Sequence, residues 1–380
     1  VVSYYKLWRR AKPNAKPQPS TKIGRGAIAP KVVATNLGNE KFSPRDVKAP
    51  PHDVKALLSA WEIGAADLTS GGRLGSGGQA DVFAGEWRGI SVAIKRPRVP
   101  NEALRDGVVQ MLRREVRALS RVQHPNVVRL YGVQLGQEPC VVMALAECTL
   151  HDALEKRTSS ALLDARLLAG IARGMNAIHK HILHLDLKPH NVLLSFDGNP
   201  WISDFGLSTS TGASASISMV SDRGTLAYKA PELFRSKKQG GALLSPAADV
   251  YSFAVLAWQL IARLEPWSEL ASPMTEIPLN VLDGERPGRP DGTDWRKVCH
   301  TAALVMLIDE CWISEPTARP DFGGIVERLS SIEAQASATA ASASVAGGVA
   351  ELDVAAQRAL AADAELASLQ RQLKAWTDAN

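Results

Sequence analysis

Two short polar segments constrain this chain more than any other part of it. The first, HLDLKPHNVLL, covers residues 184–194, and the second, SDFGLS, follows shortly after it. Asn191 and Asp204 supply the oxygen ligands that magnesium prefers. Asp186 can accept the proton of an attacking hydroxyl, and Lys188 can stabilise a migrating phosphoryl group. The two segments therefore predict a site for phosphoryl transfer.

A glycine-rich segment upstream, LGSGGQADV, suits the grip on a polyphosphate. Glycines allow backbone N–H groups to lie close to phosphate oxygens, where side chains would obstruct them. Taken alone, such a segment also fits an ordinary turn. The nucleotide-binding residues predicted here are Leu74, Gly75, Ser76, Gly77 and Gly78.

A lysine and a glutamate downstream of this segment predict an ion pair. Lys95 ends the apolar run VAIK, where a buried ammonium needs an anionic partner. Glu115 lies on a predicted amphipathic helix between residues 101 and 122, whose apolar positions recur every three or four residues. The pair would hold Lys95 toward the α- and β-phosphates of a nucleotide, whereas an unpaired lysine would extend to solvent.

In order and spacing, these motifs resemble the signature of the eukaryotic protein kinase family over residues 61–332. The matching residues are Gly75, Gly77, Lys95, Glu115, Asp186, Asn191, Asp204-Phe205-Gly206 and Ala230-Pro231-Glu232. The resemblance implies an α+β bilobal fold, with a small β-rich N-lobe carrying one main helix and a larger, mostly helical C-lobe. It also implies ATP and Mg²⁺ as cofactors and proteins as substrates.

Further motifs resemble the tyrosine-kinase-like group, which mostly phosphorylates serine and threonine. They are WEI before the glycine-rich segment, DVYSFAVLAWQL from Asp249 and CWISEPTARPDF from Cys311. Lys188 supports serine/threonine specificity, because tyrosine-specific members usually replace it. Thr225 stands where Ser/Thr kinases tie the catalytic aspartate to this lysine.

The resemblance implies roles for other residues, whose alternative role is ordinary core packing. The adenine pocket would be formed by Val82, Ala93, Leu193, Met143 and the backbone from Ala144 to Ala146. A stack joining the lobes would contain Leu119, Leu130, His184 and Phe205. An ion pair between Glu232 and Arg319 would fix the platform for the protein substrate.

Two positions depart from the family pattern. Ala80 replaces the third glycine of the phosphate segment, which would stiffen it slightly. Leu185 replaces the arginine that receives an activation-loop phosphate in many members. We therefore expect catalysis to depend little on phosphorylation of Ser218 or Ser221, in the hydroxyl-rich loop that follows Asp204.

Two other functions fit parts of the same pattern. A pseudokinase, which acts as a scaffold or signalling module, would keep the fold without catalysis, but here every charge that catalysis requires is intact. A small-molecule phosphotransferase would share a similar ATP site but would normally lack the Ala230-Pro231-Glu232 motif. The sequence favours the protein kinase.

The N-terminal flank is basic. Residues 1–50 carry eleven Lys or Arg and two acidic side chains, a net charge of +9, whereas the whole chain carries +5. The positive charge thus belongs to a flexible leader, and we expect no nucleic-acid partner. The start VVSYYKLWRR fits a solvated tail, and it also fits a juxtamembrane segment tethered upstream of residue 1.

Two segments follow the predicted domain. Residues 333–350, rich in Ala and Ser, predict a low-complexity linker. Residues 351–380 show an apolar heptad pattern that predicts an amphipathic helix or a coiled coil, and the latter would mediate self-association. Four cysteines without metal or disulfide spacing indicate a reducing compartment, so we expect a cytoplasmic protein or the cytoplasmic part of a membrane-anchored one.

Overall fold

A computed structural model covers most of the predicted domain. It describes residues 60–76, 80–98, 105–135, 138–156, 161–206, 209–210, 226–234, 244–288, 294–297, 299 and 301–345. The predicted leader over residues 1–50 and the predicted helix over residues 351–380 lie outside this part of the chain.

A five-stranded antiparallel sheet forms the first lobe. Its strands are β1 Leu68–Ser76, β2 Ala80–Trp87, β3 Ile90–Pro97, β4 Leu130–Gln134 and β5 Cys140–Ala144, in the spatial order β1-β2-β3-β5-β4. The turn between β2 and β3 consists of Arg88 and Gly89, with φ of 50° and 79°. Two consecutive positive φ values are what a tight hairpin needs to match the twist of its strands.

One helix, α1 (Arg105–Leu119), packs against this sheet. Its buried side contains Leu112, Val116 and Leu119, which recur at the helical spacing predicted from the sequence. Glu115 lies on the same buried side and is therefore carried into the interior of the lobe.

Helices form most of the second lobe. They are α2 Leu150–Leu154, α3 Ala161–His179, α4 Pro246–Ala262, α5 Pro273–Leu282, α6 Ala302–Cys311 and α7 Phe322–Val345. Every residue of α4 from Ala248 to Ala262 is buried. Because a helix that is covered on all sides lies in the core, α4 is the element to which the surrounding loops attach.

Five further short strands are present, one directly before α2 and four between α3 and α4. They are β6 Cys148–Thr149, β7 Ile182–Leu183, β8 Val192–Leu194, β9 Pro200–Ile202 and β10 Thr209–Ser210. Strands β8 and β9 pair, which brings the segment before β8, with Asp186 and Asn191, close to the segment after β9, with Asp204. The predicted α+β bilobal fold is confirmed.

A low-complexity linker was predicted over residues 333–350. This prediction is wrong for residues 333–345, which are helical because α7 continues to Val345. Alanine has the highest helix propensity of all residues, so a run rich in alanine extends a helix once packing has started it. Glu333 also stays in contact with α3, 3.6 Å from Arg166 and 3.9 Å from Arg173. Although α7 has 24 residues, neither it nor another helix in the described ranges is apolar enough to cross a membrane.

Candidate active site

Lys95, on β3, bridges two carboxylates from other elements. Its Nζ lies 2.8 Å from Glu115 Oε1 and 2.8 Å from Asp204 Oδ1. Burial opposes the charge on the ammonium, but the two carboxylates outweigh it and raise the pKa of Lys95 above its ordinary value. The structure brings together the two residues that were predicted to pair and adds Asp204 as a third.

Glu115 depends on this pairing. Its side chain is 1% exposed, and burial raises the pKa of the carboxyl while Lys95 acts in the opposite direction. Removing one partner of a buried pair leaves an uncompensated charge, which is costly. The ion pair therefore fixes where α1 sits relative to β3.

Asp186 is held by two residues of its own loop. Lys188 Nζ lies 3.0 Å from Asp186 Oδ2. Asn191 Nδ2 donates to the same oxygen and to the backbone carbonyl of Asp186, both at 2.8 Å. These contacts restrict the carboxylate to one orientation, as a general base requires.

Asp249, which the sequence analysis did not assign to the site, fixes the start of this loop. Its Oδ2 accepts from the N–H of His184 at 2.8 Å, and its Oδ1 accepts from the N–H of Leu185 at 2.7 Å. His179 Nε2 lies 2.9 Å from Oδ2. The signal that could have revealed this role is an acidic residue at the start of an otherwise apolar helix.

Leu185 and Asp204 have left-handed backbone conformations, with φ of 63° and 64°. A residue other than glycine in this region costs about 1–3 kcal/mol, which the surrounding contacts must offset. Asp249 holds Leu185, and Lys95 holds the side chain of Asp204, whose Oδ1 also accepts from the N–H of Gly206 at 3.4 Å.

Asn191 and Asp204 fit a magnesium site. Because Asp186 uses the amide nitrogen of Asn191, the amide oxygen is the atom left for a cation. The Asp204 side chain is 42% exposed. Burial opposes its charge, but Lys95 lowers the pKa of Asp204 to about 2, so the carboxylate is ionised at neutral pH. A carboxylate and an amide oxygen are ligands that magnesium accepts.

The residues predicted around an adenine ring lie in one apolar cluster. Ala93 faces Met143 across β3 and β5, and both are buried with Ala144. Val82 and Leu193, from the two lobes, are partly buried against the same cluster. The cluster thus has apolar side chains from both lobes, as a base would need.

The backbone from Ala144 to Ala146 was predicted to hydrogen-bond an adenine, and the structure excludes one of its N–H donors. The Ala144 N–H donates to the carbonyl of Arg129 at 2.9 Å, so this donor is not available to a ligand. Within the described residues, no backbone hydrogen bond uses the N–H of Ala146. Ala146 is therefore the better candidate for the donor.

Leu74, Gly75 and Ser76 form the end of β1, where Gly75 is the register partner of Val82. Gly77 and Gly78 lie outside the described residues. These three described residues therefore lie at the hairpin end of β1, beside β2, and their contact with a nucleotide stays a prediction.

Arg98 closes this end of the hairpin, a role that no sequence pattern suggested. Its Nε and Nη2 donate to the carboxylate of Asp81 at 3.2 and 2.9 Å, and Nη2 also donates to Ser76 Oγ. The hydrogen bond from Arg98, with a smaller one from Ser76, lowers the pKa of Asp81 to about 2. One guanidinium thus joins the last residue of β1 to the second residue of β2.

Two of the four residues predicted to stack between the lobes are in contact. The rings of His184 and Phe205 have centroids 5.1 Å apart. His184 Nε2 also lies 3.0 Å from the carbonyl of Ser203. Leu119 and Leu130 are buried in the same cluster as Phe205.

The predicted pair between Glu232 and Arg319 is present. Arg319 Nη1 and Nη2 donate to the two carboxylate oxygens at 2.7 and 2.9 Å, and both side chains have 0% exposure. The hydroxyl of Tyr228 donates to Gln259, which fixes the residues just before this pair. Thr225 lies outside the described residues.

Fold and site together are those of a protein kinase domain. The chain belongs to the family described as protein tyrosine and serine/threonine kinase, whose model matches residues 68–329. The family predicted from the sequence is confirmed.

Curated relatives agree with this assignment. Mitogen-activated protein kinase kinase kinase 13-A of Xenopus laevis is 32% identical over 277 residues, which cover 71% of this chain and 26% of that protein. "Probable serine/threonine-protein kinase drkC" of Dictyostelium discoideum is 32% identical over 293 residues, 73% of this chain and 36% of that protein. The first of these supports the tyrosine-kinase-like group. The chain spans between about a sixth and about a third of the length of the curated relatives it matches.

Proposed function

We propose that this chain is a protein serine/threonine kinase that transfers the γ-phosphate of ATP to hydroxyls of protein substrates. The observation that carries the proposal is the orientation of Asp186 by Lys188 and Asn191, beside the Lys95–Asp204 pair. Phosphoryl transfer needs positioning and charge stabilisation rather than covalent participation. These side chains supply both.

Each residue has one task in this proposal. Bound ATP would supply the phosphoryl group and magnesium would neutralise its charge. Asn191 and Asp204 would hold the metal, and Lys95 would hold the phosphates. Asp186 would orient the substrate hydroxyl and accept its proton at the carboxylate, while Lys188 balances negative charge next to it.

Two observations support serine and threonine rather than tyrosine as acceptors. Lys188 is paired with Asp186 at 3.0 Å, and tyrosine-specific members of the family usually lack this lysine. The curated relatives also include several whose names contain serine/threonine-protein kinase.

Transfer of labelled phosphate tests the proposal. The full chain is incubated with radiolabelled ATP, magnesium and a panel of unfolded proteins, followed by phosphoamino acid analysis. We expect label on serine and threonine, and its loss in Asp204→Ala and Asp186→Asn. Asp283→Asn, an exposed aspartate at the end of α5, is the control and should retain activity. Equal labelling by Asp204→Ala and the unmodified chain would contradict the proposal, and a scaffold would label nothing.

We also propose a reducing location such as the cytoplasm. Cys140, Cys148, Cys299 and Cys311 are in the reduced thiol form and not in disulfides, and reduced cysteines persist in such compartments. A fluorescent fusion found in an oxidising compartment would contradict this. A tether upstream of residue 1 and self-association through residues 351–380 stay predictions.

A further inference from the structure

Lys229 is a buried cation in the segment that precedes Pro231 and Glu232. Its relative exposure is 7%. Among the described residues, its side chain makes no hydrogen bond and no ion pair. Burial of most of a lysine side chain without an anionic partner for its ammonium is costly, so its presence beside the catalytic loop requires an explanation.

The backbone around Lys229 is fixed on both sides. The carbonyl of Tyr228 accepts a hydrogen bond from Ser252 Oγ at 2.8 Å. On the other side, the N–H of Leu233 donates to the carbonyl of Ala230 at 3.0 Å. The position of the Lys229 backbone, from which the side chain extends, is therefore fixed by the fold.

These anchors place Lys229 next to the catalytic loop. Asp249, which holds the N–H of Leu185, and Ser252, which holds the carbonyl of Tyr228, are three residues apart on α4. Residues at this spacing are neighbours on one face, with Cβ atoms about 5–6 Å apart. Leu185 and Tyr228 are thus attached one helical turn apart, and each directly precedes one residue of interest, Asp186 and Lys229.

The charges around the ammonium agree with this placement. Burial lowers the pKa of Lys229, Asp186 acts against this shift, and Lys188 adds to it. Lys229 thus shares the electrostatic environment of the catalytic pair. Lys188 and Lys95 are already paired with carboxylates. The ammonium of Lys229, in contrast, has no carboxylate partner among the described residues.

We propose that Lys229 binds the carboxylate of an aspartate or glutamate that directly neighbours the acceptor hydroxyl in the protein substrate. This rests on the proposed kinase function, in which the hydroxyl lies at Asp186. An extended peptide advances about 3.3–3.6 Å per residue, so a side chain adjacent to the acceptor comes within reach of a lysine one helical turn away. A charge-assisted hydrogen bond formed out of water is stronger than a neutral one.

Peptide binding tests this inference without catalysis. Labelled peptides with alanine at the acceptor position carry Glu, the isosteric Gln, or Lys at each position from two before to three after it. Their affinity for the full chain is measured by fluorescence anisotropy with a nonhydrolysable ATP analogue and magnesium. We expect the Glu peptide to bind about tenfold more tightly than the Gln peptide at one adjacent position only.

Variants at position 229 assign the preference to this residue. Lys229→Met should bind Glu and Gln peptides equally, with the affinity of the unmodified chain for the Gln peptide. Lys229→Glu should reverse the preference toward the Lys peptide, which a merely structural lysine would not do. Lys180→Met, an exposed lysine after α3, is the matched control and should keep the preference. Lys229→Gln replaces Lys229→Met should the latter fail to fold.

Four results would overturn the inference. They are no preference in the unmodified chain, a preference that survives Lys229→Met, equal weakening of all peptides, and weakened binding of the nucleotide analogue alone. The last would assign Lys229 to the ATP phosphates. Failure of the proposed function has a different signature, in which the peptide preference is retained but no phosphate is transferred.

Discussion

Arg319 and Glu232, 87 residues apart in the chain, form a doubly hydrogen-bonded ion pair from which solvent is excluded. Arg319 also donates to the carbonyls of Ile313, Ala247 and Ser314. One guanidinium therefore joins the substrate platform to the start of α4 and to the loop after α6.

Replacing Arg319 by alanine should reduce the free energy of unfolding by about 3–5 kcal/mol, because Glu232 would remain buried without its partner. Urea denaturation measures this value. Arg296→Ala removes a pair with Asp309 whose side chains are 47% and 36% exposed, and it should cost less than about 1 kcal/mol. Similar losses in both variants would contradict the assignment.

Removal of Arg98 should loosen the entrance to the phosphate segment. We expect Arg98→Ala and Asp81→Asn to raise the KM for ATP about two- to fivefold with a smaller change in kcat, since an exposed ion pair contributes modestly. Steady-state kinetics over a range of ATP concentrations provides the test. Arg88→Ala breaks the comparable surface pair with Asp67 and is the control. An unchanged KM in Arg98→Ala would show that the contact is irrelevant to nucleotide binding.

Asp249 should make part of the stability dependent on acid pH. Burial alone would raise its pKa, but hydrogen bonds and charge from His179, with contributions from His184, lower it. A carboxyl with a lowered folded-state pKa stabilises the fold above its unfolded value of about 3.9, and this contribution is lost as pH falls through the folded-state value. The free energy of unfolding should therefore decline below about pH 4 more steeply in the unmodified chain than in Asp249→Asn. Equal slopes in urea titrations from pH 5 to pH 2 would refute this.

Catalysis should be insensitive to phosphorylation of the loop after Asp204. Leu185, buried beside Asp186, has no charge with which to bind a phosphate on Ser218 or Ser221. We expect a phosphatase-treated sample, and the variant with both serines changed to alanine, to keep activity within about twofold of the untreated chain. Loss of one contact to a charged group would change activity by more than this. A large loss in both samples would show that another cation takes the place of the missing arginine.

Two of the charged pairs at the site could be predicted from the sequence. Lys95 and Glu115 could be matched because each stands in an apolar context where a lone charge is costly. Glu232 and Arg319 came from family resemblance, and the structure places them in contact. In each case both partners are side chains, which leave a trace in the sequence.

Contacts with backbone groups could not be predicted in this way. Asp249 binds the N–H groups of His184 and Leu185, 65 and 64 residues earlier, and every residue has such a group. The hydrogen bond from the Ala144 N–H to the carbonyl of Arg129 could not be predicted either, because it too joins backbone groups. The helix through residues 333–345 was missed because Ala and Ser composition fits both a linker and a helix, and packing decides between them.

The two lobes differ in how a signal could adjust the site. Asp249 and Ser252 attach the catalytic loop and the substrate platform to α4, whose residues from Ala248 to Ala262 are buried. A binding partner therefore cannot contact this part of α4 directly. Glu115, in contrast, reaches Lys95 from α1, a helix with solvent-facing residues such as Asp106 and Gln110. A small rotation of α1 would separate Glu115 from Lys95 and leave the C-lobe unchanged. The N-lobe is therefore the part of the domain in which a conformational change could switch the site on or off.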